Sequence, residues 1–346
     1  MADFPHPLIK TVTYSPAYTL VPTYECFNRC SYCNFRVDPG QDAWVSLADA
    51  EARLRSLQPH GVIEILVLSG EVHPASPRRS QWMQHIYDLC QLALDLGFLP
   101  HTNAGPLLRH EMEQLRSVNV SMGLMLEQLT PALMETVHRH APSKEPKRRL
   151  EQLIWAGELK IPFTTGLLLG IGETESDRID TLNAIAQVHR RFGHIQEVIL
   201  QPHSPGTRQA WEGHAFDPQA LPSLVAIARD RLPEDIAIQI PPNLVSVPTL
   251  IACLENGARD IGGIGPTDEV NPDYPHPCDR TLADQLAGYG WHLQPRLPIY
   301  PQYDDGLPKD LHNKVRLWRS RLMQSGAVSA VACGNCDRSV ITGDSA

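Results

Sequence analysis

Three cysteines stand close together: Cys26, Cys30 and Cys33, at C-x3-C-x2-C spacing, with Tyr32 just before the third. They follow a strand-like run over residues 18–23 and so belong to a first strand-to-helix loop. Thiolates this close face a single point only if the loop wraps around something. A 4Fe–4S cluster suits them, because thiolate is its usual ligand. Three ligands leave the fourth iron open to a substrate or cosubstrate. A zinc knuckle is the alternative. Zinc sites are usually closed by four ligands, and no fourth Cys or His lies near this loop in sequence.

Other residues with chemical potential recur along the chain. In Ser69-Gly70-Glu71 the glycine lets the backbone approach a ligand, and Glu71 can accept from an ammonium group. Glu127 ends a run of Met and Leu, where a carboxylate is costly unless it meets donors or a cation; the ammonium or hydroxyls of a bound ligand would serve, and so would Arg139 or another basic residue. Gly170-Ile171-Gly172-Glu173 precedes a Thr174/Asp177 helix cap, and alone such a glycine motif is weak, a helix-entry turn being the alternative. His101 and His203 sit at strand ends and suit substrate contact better than His138 or His140. Cys90 and Cys253 fall in apolar helical patterns and read as core. Cys333 and Cys336 form a lone C-x2-C in the tail, able to bind zinc or a second cluster but without a partner pair. Cys278 carries no reading.

The elements that must position these groups alternate. Strand-like runs cover residues 62–68, 98–103, 118–126, 163–169, 195–200, 236–240 and 260–264. Amphipathic or capped helices fall between them: 46–57 with Ser46 as N-cap, 80–96, 144–158, 175–190, 222–232, 249–256 and 281–288. Thr130-Pro131 reads as an N-cap with proline at the first helical position. About eight alternations predict an α/β fold, a (β/α)8 TIM-type barrel. Residues 1–16 read as an N-terminal arm, 17–304 as the barrel and 305–346 as a C-terminal extension with one helix near 311–323. Barrels of this kind take their catalytic groups from the C-terminal strand ends. Glu71, Asn103, Glu127, Gln201, Gln239, Thr267 and Asp268 all fall there.

Bulk properties narrow the class. The 346 residues carry a net charge of −9 and no long Lys/Arg run, which speaks against a broad nucleic-acid surface. No signal peptide or membrane-length apolar run is visible, so a cytoplasmic enzyme is expected. Eight cysteines in such a chain point to ligation or burial.

The cysteine loop resembles the signature of the radical S-adenosylmethionine (SAM) superfamily. The resemblance implies SAM on the open iron, and 5′-deoxyadenosyl radical formation on reduction. By the same resemblance Ser69, Gly70 and Glu71 match a Gly-Gly-Glu motif that holds the SAM amino group, with Ser in place of the first Gly. Gly170 and Gly172 match a stretch near adenine, and Tyr32, Asn103, Glu127 and Gln201 complete the cofactor set. Wider stretches narrow the family: Ser15-Pro16-Ala17-Tyr18, Phe27-Asn28-Arg29, Asn34-Phe35-Arg36, residues 101–106, 121–127, 141–144, Pro241-Pro242-Asn243-Leu244 and 260–264. From about Thr13 to Tyr303 the chain resembles the 7,8-didemethyl-8-hydroxy-5-deazariboflavin (FO) synthase family, as its ring-closing subunit. Pro202-His203-Ser204 departs from the expected Asn-Phe after Gln201. The resemblance implies a radical SAM lyase that acts on a hydroxybenzyl–ribitylaminouracil adduct made by a companion radical SAM subunit, with ferredoxin or flavodoxin as reductant and no membrane partner. His101, His203, Gln239, Asn243, Thr267 and Asp268 are then the substrate candidates. Asp268 and Thr267 are candidates for the catalytic group, whose identity the sequence leaves open. Two alternatives stand: a neighbouring radical SAM enzyme, such as the tyrosine-using companion or a menaquinone-pathway cyclase, and a non-enzymatic iron–sulfur or zinc module.

Overall fold

The structure is a computed structural model and describes residues 10–213 and 215–325. Cys333 and Cys336 lie outside the described residues, as does most of the expected N-terminal arm. From Lys10 onward that arm is strand: β1 spans Lys10–Leu20. The remaining strands are β2 (Glu64–Leu68), β3 (Leu99–Asn103), β4 (Ser121–Gly123), β5 (Phe163–Leu169), β6 (Ile195–Pro202), β7 (Ala237–Gln239), β8 (Asp260–Ile264) and β9 (Trp291–Pro295). The first eight close into a parallel ring, with β1 between β8 and β2.

β1 serves three neighbours because it is 11 residues long. Its upper half, Ala17–Leu20, pairs with β2; Thr13–Pro16 pairs with β8; its lower part, Lys10–Tyr14, pairs with β9. The β9 strand was not expected. Its WHLQP run is short, ends in proline and has little apolar content.

Helices α1 (Leu47–Leu57), α2 (Arg79–Asp95), α3 (Arg109–Arg116), α4 (Pro146–Glu158), α5 (Glu175–Phe192), α6 (Leu221–Arg231), α7 (Val247–Glu255), α8 (Asp279–Ala287) and α9 (Lys309–Ser325) occupy most of the intervening chain. Local chemistry sets several boundaries. Ser46 Oγ accepts from Asp49 N at 3.0 Å at the start of α1. Thr174 and Asp177 form the reciprocal cap of α5, and Gly193 ends it in the left-handed region, φ +65°. Thr130 does not cap: Pro131–Glu135 is a short 3-10 turn without a side-chain bond at its start. The expected strand over 118–126 shrinks to β4, whose neighbours pair with only two of its residues each.

Period-two alternation divides each strand between two environments. In β2, Ile65 and Val67 are fully buried beneath the helices, while Glu64, Leu66 and Leu68 face the barrel interior. In β6, Val198 and Leu200 pack outward, while Glu197, Ile199 and Gln201 face inward. Barrel interiors of this class are ordinarily filled by bulky branched side chains. Here the interior is a cavity of about 370 Å³ whose lining mixes apolar side chains with several polar and charged ones.

Candidate active site

The cysteine loop leaves the top of β1 and is fixed from several sides. Cys26 N donates to Val37 O at 3.1 Å and Val37 N to Tyr24 O at 2.9 Å, closing the loop on itself. Phe27 N donates to Glu71 O at 3.0 Å, Arg29 N to His140 O at 2.7 Å and Ser31 N to Val137 O at 3.0 Å. Beneath it, buried Glu25 accepts from Gly40 N at 2.6 Å, Trp44 Nε1 at 3.3 Å and Arg78 at 2.9 Å. With the backbone so occupied, the three half-buried cysteines keep their thiols for ligation, Cys26 Sγ also accepting from Asn28 Nδ2 at 3.7 Å.

Burial pushes the Cys26 thiol up to about 11, with Glu71 adding to the shift. Burial likewise pushes Cys30 up to about 12; Lys144 opposes this and Glu127 adds to it. Without a cation these groups stay protonated; iron bound to sulfur reverses that preference. Among the described residues no three His, Cys, Asp or Glu side chains converge to hold a single metal ion. Cysteines on a cubane each hold a different iron, so they need no such convergence. A three-thiol donor set on a rigid loop therefore fits a 4Fe–4S cluster.

Glu71 sits beside this loop because two glycines make room. A Cβ at Gly70 would overlap the Glu25 carbonyl, and Gly70 N donates to Thr23 O at 2.9 Å. A Cβ at Gly105, where φ is +74°, would overlap the Glu71 carboxyl. The Ser69 hydroxyl accepts from Trp82 Nε1 at 3.0 Å and donates to Gly70 O at 2.9 Å, so it braces the turn. The buried Arg79 ties this turn to the next loop. It forms a bidentate pair with Glu111 at 2.8 and 2.6 Å and donates to Val72 O at 2.6 Å and Pro106 O at 3.3 Å.

Glu127 adopts φ +64°, outside the strand, which turns its side chain into a charged network. It pairs with Lys144 and lies 3.1 Å from His138 Nε2 and 3.9 Å from Arg149, and the Tyr32 hydroxyl donates to it. Arg149 is equally 3.9 Å from Glu71. Burial would raise the Glu127 pKa, but Lys144, Arg149 and His138 override it and hold the carboxyl well below its usual range. The partner is thus not Arg139, which bonds the Glu135 carbonyl at 2.7 Å.

From this mouth the cavity descends the barrel. Tyr32, Ser69, Glu71, Asn103, Glu127 and Gln201 line it, as do His101, His203, Gln239, Asn243, Thr267 and Asp268. Gly70, Gly170 and Gly172 do not. In the 170–173 turn, the Gly170 and Ile171 amides are taken at 2.8 and 2.9 Å by Glu173, which also pairs with Arg178 at 2.7 Å. The turn is self-satisfied, as a helix entry is. Asp268 accepts from Val270 N at 2.9 Å, Asn271 N at 3.0 Å, Asn271 Nδ2 at 3.1 Å and Asn243 Nδ2 at 2.8 Å. Four donors commit its carboxylate to shaping the loop. Thr267 carries no such commitment among the described residues and stays at the wall. His203 Nε2 bonds Gln209 at 2.8 Å.

Sequence reasoning missed the bottom of this cavity. Glu64, Gln196, Glu197 and Arg296 line it. Arg296 follows β9 and reaches up into the ring to meet Glu197 at 2.7 Å and Asp260 at 2.6 Å. Burial and neighbouring carboxylates push Glu197 well above its usual range, despite Arg296. Burial would raise Asp260 too, but the Arg296 charge and hydrogen bonds hold it low. With its amide nitrogen turned toward Glu197, Gln239 donates at 3.2 Å. The available signal was a glutamate or aspartate inside an apolar strand run, as in residues 62–68 and 195–200.

Comparison with known proteins agrees with this architecture. The Radical SAM superfamily matches residues 20–185. The FeFe-hydrogenase maturase HydG from Carboxydothermus hydrogenoformans shares the fold at TM-score 0.70 and 17% identity, over 93% of this chain and 80% of that one. The 7,8-didemethyl-8-hydroxy-5-deazariboflavin synthase of Trichormus variabilis is 66% identical over 308 residues, 89% of this chain and 91% of its own. The enzyme of the same name from Trichodesmium erythraeum is 63% identical over 314 residues, 90% of this chain and 98% of its own. Identity of that order across nearly the whole of each protein places the chain: it belongs to the 7,8-didemethyl-8-hydroxy-5-deazariboflavin synthase family within the radical SAM superfamily.

Proposed function

We propose that this protein is the ring-closing FO synthase subunit. It takes 5-amino-5-(4-hydroxybenzyl)-6-(D-ribitylimino)-5,6-dihydrouracil from a companion radical SAM subunit and yields the deazaflavin FO by hydrogen abstraction, ring closure, ammonia loss and net two-electron oxidation, with SAM as the oxidant. The observation that carries the reading is a cavity that begins at Tyr32 and Cys33 on the cysteine loop and runs down the barrel interior to Glu64, Glu197 and Arg296. Cys26, Cys30 and Cys33 would hold the 4Fe–4S cluster, and Glu71 would accept from the SAM ammonium. When bound, the cluster and SAM would supply radical chemistry for hydrogen abstraction, with a ferredoxin or flavodoxin as the proposed reductant. The protein's own residues orient and exclude. The Glu127–Lys144–Tyr32–His138 network holds the mouth rigid and charged. Loop residues around Asn243, Asp268 and Tyr274 cover the side: Asn243 Nδ2 donates to Asp268 and to Tyr274 O, each at 2.8 Å, and the Tyr274 hydroxyl donates to Pro205 O at 2.8 Å. Such closure keeps water from a reactive intermediate. We place the enzyme in the cytoplasm; among the described residues no helix is long and apolar enough to cross a membrane.

The test is anaerobic turnover of reconstituted protein. Given the adduct and reductant, it forms 5′-deoxyadenosine and FO; given free tyrosine and ribitylaminouracil alone, it forms no FO. Cys30→Ala abolishes both products and the cluster's visible absorbance. Tyrosine consumption without adduct turnover would assign the companion activity instead.

A further inference from the structure

Two interior side chains near the cavity floor keep acceptor capacity that the described residues do not fill. Glu64 opens β2, four residues before Leu68, so it lies about 13 Å below the strand end that faces the cysteine loop. It is buried, yet it forms no ion pair among the described residues, because Arg296 is engaged by Glu197 and Asp260. Among the described residues the Ser15 hydroxyl is the side-chain hydrogen-bonding neighbour of Glu64, which leaves the rest of its acceptor capacity toward the cavity it lines.

The second acceptor is His101, and its tautomer follows from its neighbours. Ser121 Oγ donates to the carbonyl of Pro298, which can only accept. That leaves Ser121 Oγ to accept from His101 Nδ1, 2.7 Å away. The proton is therefore on Nδ1, and Nε2 presents a lone pair with no bond to a described side chain. Burial, with the Arg296 charge adding to it, lowers this imidazole to about 3, so it stays neutral at working pH. Leu66 pairs with His101, which sets His101 one interior layer above Glu64 on the neighbouring strand. The two Cα positions are then roughly 8 Å apart.

Acceptors with capacity to spare select an occupant rich in donors. An anion is disfavoured, since the one floor cation is already engaged. A chain of hydroxyls fits both the chemistry and the spacing. We infer that the floor is a subsite for a polyhydroxylated chain, so that the ribityl arm of the substrate enters first and donates hydroxyls to Glu64 and to Nε2 of His101. This rests on the function proposed above. It also explains the orientation: the ribityl carbons do not react, and the floor is the end farthest from the cysteines.

The experiment crosses residue with ligand. Wild type, Glu64→Met and His101→Phe are compared on the ribityl adduct and on the same adduct carrying a methyl group in place of the ribityl chain. Each substitution is expected to raise KM for the ribityl substrate about tenfold or more. The kcat/KM preference for ribityl over methyl should fall by the same factor, with Glu64→Gln, which keeps one acceptor, recovering part of it. A preference unchanged in both variants overturns the inference, as does an equal loss on both substrates, which would mark a merely structural role. Should wild type make no deazaflavin from either adduct, the functional reading itself fails; should it turn over with no residue–chain coupling, only the subsite fails. Circular dichroism of each variant identifies a folding defect, and Ser121→Ala then tests the same acceptor by releasing the His101 tautomer.

Discussion

The mouth and the floor of the cavity hold the same residue type in opposite states. At the mouth, Glu127 and Glu71 share Lys144 and Arg149, so carboxylates and full cations balance. At the floor, Glu64, Glu197 and Asp260 surround Arg296 alone. Both regions are buried, and burial alone would protonate all of these acids. The count of cations decides which ones ionise. Glu127 is held ionised and Glu197 is held protonated. A fixed charge pattern thus stands beside the cluster loop, while the floor is a hydrogen-bonding surface of low net charge.

Substitutions can break this contrast. Glu127→Leu should have the largest effect, because it strands Lys144 in a buried site; a loss of about 3–5 kcal/mol at pH 7 is expected by urea unfolding of the apo-protein. The depressed pKa makes the Glu127 contribution present above its ordinary 4.5 and lost as pH falls through the folded value. The gap between wild type and variant should therefore narrow below pH 4.5. A gap constant with pH would sink the assignment of an ionised Glu127.

Arg296→Met should cost less, about 2–3 kcal/mol at pH 8, because the floor acids can escape by taking up protons. The raised folded pKa values of Glu197 and Glu64 give stability that is full below about 4.5 and fades as pH rises, and without Arg296 nothing holds Asp260 low against burial. This variant should then approach wild type already toward pH 5, whereas the Glu127→Leu gap closes only below pH 4.5. Smallest is Glu197→Gln. An amide mimics the protonated acid, so stability should change by less than about 1 kcal/mol and shift in the variant's favour as pH rises. A loss that grows between pH 6 and 8 would show Glu197 to be ionised.

Much of the mouth was legible in the sequence, since each of its devices is local. The three cysteines, Ser69-Gly70-Glu71 and Glu127 announce themselves within a few residues, and the fully buried β5 was read to the residue. The floor was not legible, since it is assembled across the ring. Glu64, Glu197 and Asp260 sit inside apolar strand runs, and only closure turns them toward one another. Their cation comes from beyond the eight-strand pattern. α3 was missed because only Glu111, Met112 and Leu115 of its residues are buried, too few to make a stripe. The 118–126 run was overextended because apolar content does not distinguish a paired strand from the buried turn that leads to Glu127.

The length of β1 has a kinetic consequence. Lys10 pairs with Trp291 and Thr13 with Asp260, so the strand that carries the cysteine loop waits for partners from the far end of the described chain. Contacts of such long sequence separation form late. During synthesis the loop emerges early, whereas the seam that closes the ring, and the arginine that completes its floor, arrive among the last segments. Iron delivered before that point would meet an open sheet; iron delivered afterwards would meet a finished vessel. The order of assembly thus sets when the three thiols first share a fixed scaffold.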